Sequence, residues 1–223
     1  MSKALFVQAI GKFLLGVILV GILLFLPAGT WYYPAAWQLL TILFIPMFIA
    51  GLVMMWKNPS LLKKRLQAKE QQREQSLVVK LSGLMFLAGF ITAGLDFRFG
   101  WLPLPGWVST AGSVAFLLSY LMYAEVLREN TYLSRTIEVQ QGQTVIDTGL
   151  YGIVRHPMYS ATVILFLSMP LVLGSLPSFL IFLAYPALIA KRIRNEELVL
   201  SEGLVGYAEY CRKVRWRLLP LVW

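Results

Sequence analysis

Residues 13–29, FLLGVILVGILLFLPAG, run for 17 positions without a charged side chain. A helix that crosses a bilayer needs about 20 predominantly apolar residues, and in lipid every backbone N–H and C=O must be bonded within the chain. A run of this kind therefore predicts a spanning helix. Lys3 and Lys12 precede it and Ala28 lies near its end, so the stretch also resembles a secretion signal. A second run, 35–56, follows after the short aromatic connector TWYYP, which favours an uncleaved first span. Pro46 predicts a kink in the second. Third and fourth spans are expected over 81–95 and 107–123. The last apolar region, 158–190, is too long for one span and is broken by GSLP at 174–177, which predicts a hairpin of two arms of about 16 residues. The expected fold is all-α: one polytopic integral membrane domain, with four spans in 1–123, then a C-terminal region, 124–223, built around the hairpin and cytoplasmic helices.

Charge orients these spans. The chain has a net charge of +9, which in a soluble protein would suggest nucleic acid, but 58% of its residues are hydrophobic and 14% are charged. The basic residues are unevenly placed. Segment 57–80 holds seven Lys or Arg against Glu70 and Glu74, and seven more lie from Lys191 onward, whereas 30–34 has none and 96–106 has only Arg98. The N-terminus, 57–80, 124–157 and the C-terminus are thus expected on the cytoplasmic side, next to anionic lipid. Membrane lipids are the expected partners and nucleic acid is not; the oligomeric state is not legible. Segment 57–80 reads as a solvated basic helix. Cys211 is the sole cysteine, so no intrachain disulfide can form. No His or Cys spacing suits a metal, and no glycine-rich nucleotide loop is present.

The hairpin brings two polar segments to one membrane face: QQGQTVIDTGLYGIVRHPMY at 140–159 and KRIRNEELVLSEGLVGYAEYCRKVRWRLLP at 191–220. His156, the only histidine, stands between Arg155 and Pro157 where the first arm begins. Proline is ordinary in the first turn of a helix, and such a helix end attracts anions through its free N–H groups. Together with Tyr159 the cluster is suited to a ligand carboxylate. Arg192 and Glu196 are spaced i, i+4 and share one helix face. Spacing alone leaves open whether they form a surface ion pair or bind a ligand. Glu202, Glu209, Lys213 and Arg215 read as solvated surface.

The pattern Gly149, Tyr151, Val154, Arg155, His156, Pro157, Tyr159, then a hydrophobic hairpin, then Arg192, Glu196, Glu197, Leu200, then Tyr207, Tyr210 and Pro220 resembles the isoprenylcysteine carboxyl methyltransferase family. The order of the two blocks and the hairpin between them carry the resemblance. It implies a polytopic enzyme that uses S-adenosylmethionine without a Rossmann domain. It also implies that Gln140, Gln143, Thr144, Val145 and Ile146 lie along the cofactor, partly through backbone groups, and that Tyr151 and the turn His156, Pro157, Met158, Tyr159 hold its other side. Glu196 and Glu197 would contact the cofactor, Glu196 at its ammonium. Arg192 would orient a substrate carboxylate, and Arg192 and Glu196 form the catalytic pair. The chain departs from the family's usual glycines at Leu204 and at Ser160-Ala161, which bears on helix packing and substrate shape. The implied acceptor is lipophilic, enters from the bilayer, and is most simply the carboxylate of an isoprenylcysteine-like group. A phospholipid amine is the alternative within the same chemistry. A sterol-type reductase using NADPH shares a related block, with R-H-x-N-Y and R-D-E in place of RHPMY and RNEE. A non-enzymatic membrane scaffold is the third reading, and the presence of both blocks weighs against it.

Overall fold

The computed structural model describes residues 3–66, 73–133 and 139–223. Its helices are α1 (Lys3–Ala28), α2 (Pro34–Lys57), α3 (Pro59–Leu66), α4 (Arg73–Phe99), α5 (Gly106–Glu129), α6 (Pro157–Val172), α7 (Leu176–Phe182), α8 (Ala184–Gly203) and α9 (Tyr207–Lys213), with a 3-10 turn at Gly149–Gly152. The architecture is a polytopic all-α membrane fold, as the apolar runs predict. Among the described residues, five segments are long and apolar enough to cross a bilayer: Leu5–Ala28, Pro34–Lys57, Ser76–Phe99, Gly106–Glu129, and Leu176–Gly203, which joins α7 to α8. On α1, Leu14, Leu15, Ile18, Leu19 and Ile22 are all more than half exposed. A continuous apolar face of this kind is suited to lipid tails and not to water.

Local chemistry sets where the helices begin. Pro34 and Pro157 open α2 and α6, where a missing N–H costs nothing. Ser175 caps α7, its hydroxyl accepting from the Ser178 N–H at 3.3 Å. Two glycines let helices approach closely. A Cβ on Gly94 would lie 2.6 Å from the Leu24 carbonyl oxygen, and one on Gly112 would lie 2.8 Å from the Leu171 Cβ. These sites hold α4 against α1 and α5 against α6 by backbone packing. In the core between α4, α6, α7 and α8, Phe86 meets Phe166 and Phe182 edge-on at 4.7 and 5.3 Å, and Phe166 meets Tyr185 edge-on at 4.7 Å.

Three connectors gather at one end of the bundle. The Leu104 N–H donates to the Gly174 carbonyl at 2.7 Å, the Leu176 N–H to the Leu102 carbonyl at 3.3 Å, and the Tyr33 hydroxyl to the Leu173 carbonyl at 3.2 Å. Buried Asp96 accepts from the Leu102 N–H at 2.9 Å. Trp31, Tyr32, Trp101 and Trp107 are exposed around this end, as an interfacial aromatic belt requires. The C-terminal end of α5, the start of α6 and the charged part of α8 therefore all lie at the other end.

Two span boundaries differ from the sequence reading. The third spanning helix begins within the basic segment, at Arg73, instead of at residue 81. Segment 57–80 is thus divided between α3 and the first turns of α4, with 67–72 outside the described residues. The second arm of the hairpin does not end near residue 190. It bends at Leu183 and runs on through Arg192, Glu196 and Glu197 to Gly203. Lys, Arg, Glu and Leu are all good helix formers, so the membrane boundary falls inside the helix instead of ending it.

Candidate active site

The two polar segments meet at the end of the bundle opposite the aromatic belt. The backbone of 155–156 is tied to the C-terminal segment: the Arg155 N–H donates to the Trp216 carbonyl at 2.8 Å and the His156 N–H to the Arg217 carbonyl at 2.9 Å. His156 then caps α6, and Tyr159 points from its first turn to α8. The Tyr159 hydroxyl donates to Glu196 Oε2 at 2.6 Å and accepts from Arg192 Nε at 2.9 Å. One buried phenol thereby couples the i, i+4 pair to the RHPMY block.

Glu197 faces a different set of partners. Its Oε1 accepts from Arg155 Nε at 2.7 Å and lies 3.3 Å from His156 Nε2, and its Oε2 accepts from Arg217 Nε at 2.7 Å. Arg155 also donates to the carbonyls of Val214 and Arg215 at 3.0 and 3.1 Å. The anion that Arg155 and His156 meet is thus the protein's own carboxylate. This cluster staples the C-terminal segment to α6 and α8. The three side chains of Arg155, His156 and Glu197 are almost closed to solvent, so the ion pairs rely on hydrogen bonding at both carboxylate oxygens.

Beside these clusters lies a pocket of about 850 Å³, its open mouth included. Gln143, Thr144, Val145, Ile146, Tyr151, His156, Met158, Tyr159, Arg192 and Glu196 all contribute to its lining. Gln140, Pro157 and Glu197 do not. Gln140 instead shapes the loop. Its N–H donates to Gln143 Oε1 at 2.9 Å, and its side-chain amide donates to the Tyr132 carbonyl. Pro157 opens α6, and Glu197 serves the arginine cluster. Leu200, Tyr207 and Tyr210, quoted in the sequence pattern without a role, also line the pocket, as does Arg155.

Leu204 adds to the wall, and so do Asn130, Tyr132 and Leu133, for which the sequence gives no signal. They follow the end of α5, where Asn130 caps the helix and turns the chain. Its Oδ1 accepts from the Tyr132 N–H at 3.0 Å, and its Nδ2 donates to the Tyr151 hydroxyl at 2.9 Å. The Tyr132 hydroxyl donates to the Gly142 carbonyl at 3.0 Å, which latches the loop 139–143 over this turn. On the far side Lys213 pairs with Asp147 at 2.6 Å and holds that carboxyl below its usual range. Burial pushes the half-buried Cys211 thiol up, so it is not a ready nucleophile.

Residues 111–202 match the isoprenylcysteine carboxyl methyltransferase family. Over that segment the chain is similar to this family. The match takes in both halves of the Arg192–Tyr159–Glu196 arrangement and the hairpin between them, and it ends just before α9. The chain is also 31% identical over 91 residues to a Delta(14)-sterol reductase of Mus musculus. That likeness covers 40% of this chain and 22% of the reductase, so the chain spans about a fifth of the length of that relative.

Proposed function

We propose that the protein is an integral membrane methyltransferase that uses S-adenosylmethionine and methylates a lipophilic acceptor, in the first instance the carboxylate of an isoprenylcysteine-like group. The observation that carries this reading is the Tyr159 hydroxyl, which joins Arg192 and Glu196 at the pocket wall. The residues suit the cofactor. The 143–146 backbone runs along one wall, Tyr132, Tyr151 and Tyr159 give the pocket apolar faces with polar tips, and Glu196 supplies a carboxylate for an ammonium group. Bound S-adenosylmethionine would supply an activated methyl group on a sulfonium sulfur.

The chain's own residues would then act by position. Glu196 Oε2 is held by Tyr159, which leaves Oε1 to meet the ligand ammonium. Arg192 presents a planar fork of donors that matches a carboxylate. A carboxylate acceptor is already ionised at neutral pH, so no strong base is required. His156, held beside Glu197 at the pocket wall, would serve cofactor binding and not proton transfer. Closure of the aromatic walls would exclude water and fix the approach of the acceptor. By the positive-inside rule this end of the bundle would face the cytoplasm, and the acceptor would arrive laterally from the bilayer. An amine headgroup is the alternative acceptor in the same chemistry.

The sterol reductase likeness favours a second reading, in which the same pocket takes NADPH. Thermal stabilisation of the detergent-purified protein separates the two. A ligand bound only by the native state stabilises it by about 2.7 kcal/mol at a hundredfold excess over its Kd. The expected result is a shift with S-adenosylhomocysteine and none with NADPH. The opposite pattern would move the protein to the reductases.

A further inference from the structure

We propose that Tyr207 is a ligand-binding residue whose hydroxyl donates a hydrogen bond to an oxygen or nitrogen acceptor on the bound S-adenosyl ligand. The inference rests on the methyltransferase reading above and adds α9 to the site.

The other tyrosine hydroxyls of the pocket are used by the protein itself. Tyr132 donates to the Gly142 carbonyl, Tyr159 is bonded to Glu196 and Arg192, Tyr151 accepts from Asn130, and Tyr210 donates to the Tyr151 carbonyl at 2.8 Å. Tyr207 differs. It lines the same pocket and is only 4% exposed, yet its hydroxyl has neither a hydrogen-bond partner nor contact with water. The Cys211 thiol, one turn along α9, interacts with it, and that contact offsets part of the rise that burial gives the thiol pKa, but the two lie outside ordinary hydrogen-bond geometry and sulfur is a weak acceptor.

Buried polar atoms without a partner are rare and costly. The ring alone is accounted for by packing: it joins Leu204, Tyr210 and Val214 in a small cluster with Val139, Val145 and Leu200. Phenylalanine would serve that cluster equally well. The hydroxyl is what packing does not explain. Burial and the nearby Glu197 push its pKa up, so it is held as a neutral O–H donor. Tyr207 lines the same pocket as Glu196, where the ligand's polar groups are expected. A ligand acceptor reaching this wall gives the donor its missing partner.

The hypothesis makes the free and bound protein respond in opposite directions to one atom. Wild type, Tyr207→Phe and Tyr210→Phe would be purified in detergent, and melting and S-adenosylhomocysteine titration followed for each. Tyr207→Phe is expected to melt without ligand at or above the wild-type temperature, because an unpaired buried hydroxyl is removed. Its Kd for S-adenosylhomocysteine is expected to rise about tenfold, the loss of one hydrogen bond in a dry site. Tyr210→Phe is expected to melt lower. An unchanged Kd for Tyr207→Phe overturns the proposal. So does a lower melting temperature or failure to fold, since either would show that the hydroxyl supports the free protein. Failure of the wild type to bind S-adenosylhomocysteine sinks the methyltransferase reading, and this inference with it, before any variant is compared.

Discussion

Tyr159 reaches across from the first turn of α6 to place its hydroxyl 2.6 Å from Glu196 Oε2 on α8. The Tyr159 hydroxyl oxygen also accepts from Arg192 Nε, so the phenol fixes the orientation of both charged side chains. Tyr159→Phe keeps the ring and removes only this coupling. We expect methyl transfer to fall about ten- to a hundredfold, since hydrogen bonds to charged groups contribute about 1.5–3 kcal/mol. Single-turnover rates would measure it. A wild-type rate would separate the coupling from catalysis.

Arg192 and Glu196 are predicted to fail differently. Glu196→Ala should weaken S-adenosylhomocysteine binding, because the ammonium partner is lost. Arg192→Ala should bind it normally but not transfer the methyl group. Arg192→Lys should recover little, as an ammonium does not reproduce the planar fork. Parallel ligand titration and activity assays test the assignment, and an active Arg192→Ala would remove Arg192 from the substrate side.

Glu197→Ala should damage the fold more than the ligand site. It leaves Arg155 and Arg217 facing each other beside His156 without their common carboxylate. Breaking a buried pair in this way costs about 3–5 kcal/mol. The melting temperature should drop, and the C-terminal segment should exchange its amide hydrogens faster. A variant with normal melting but weakened S-adenosylhomocysteine binding would instead place Glu197 on the ligand.

Gly112→Val should force α5 and α6 apart, since even a Cβ meets Leu171 at 2.8 Å. Overpacking of this kind typically costs about 1–3 kcal/mol. Melting in detergent would record it, and a neutral result would mean that the two helices slide easily.

The Asp147–Lys213 contact should make the 144–147 loop acid-sensitive. The folded carboxyl titrates below its ordinary range. Its contribution is therefore present above the unfolded value, about pH 4, and is lost as pH falls through the lowered folded value. Asp147→Asn should exchange loop amides faster than wild type at neutral pH, and the difference should vanish in acid. Equal exchange at neutral pH would show that the pair does not hold the loop.

The apolar runs made the membrane fold legible because lipid leaves a long uncharged segment few choices. The family pattern made much of the pocket wall legible as well. The boundaries near residues 73 and 203 were not, because helix propensity carries a helix past the edge of its apolar stretch. The Arg217–Glu197 contact was hidden for another reason. No spacing rule relates a helix residue to a partner in a following irregular segment. Asn130 and Tyr132 look like the unremarkable end of a helix until the loop at 139–143 folds back on them.

The continuity of α8 gives the molecule a built-in ruler. The helix starts at Ala184 among apolar side chains and carries Arg192 on the same rigid rod, about 12 Å further along at 1.5 Å per residue. The height of the guanidinium above the hydrocarbon is then set by a helix and not by a loop. On the proposed function, an acceptor tethered to a long apolar chain would be measured from its buried end, and molecules whose reactive group rides too high or too low would be rejected by length before their chemistry is read.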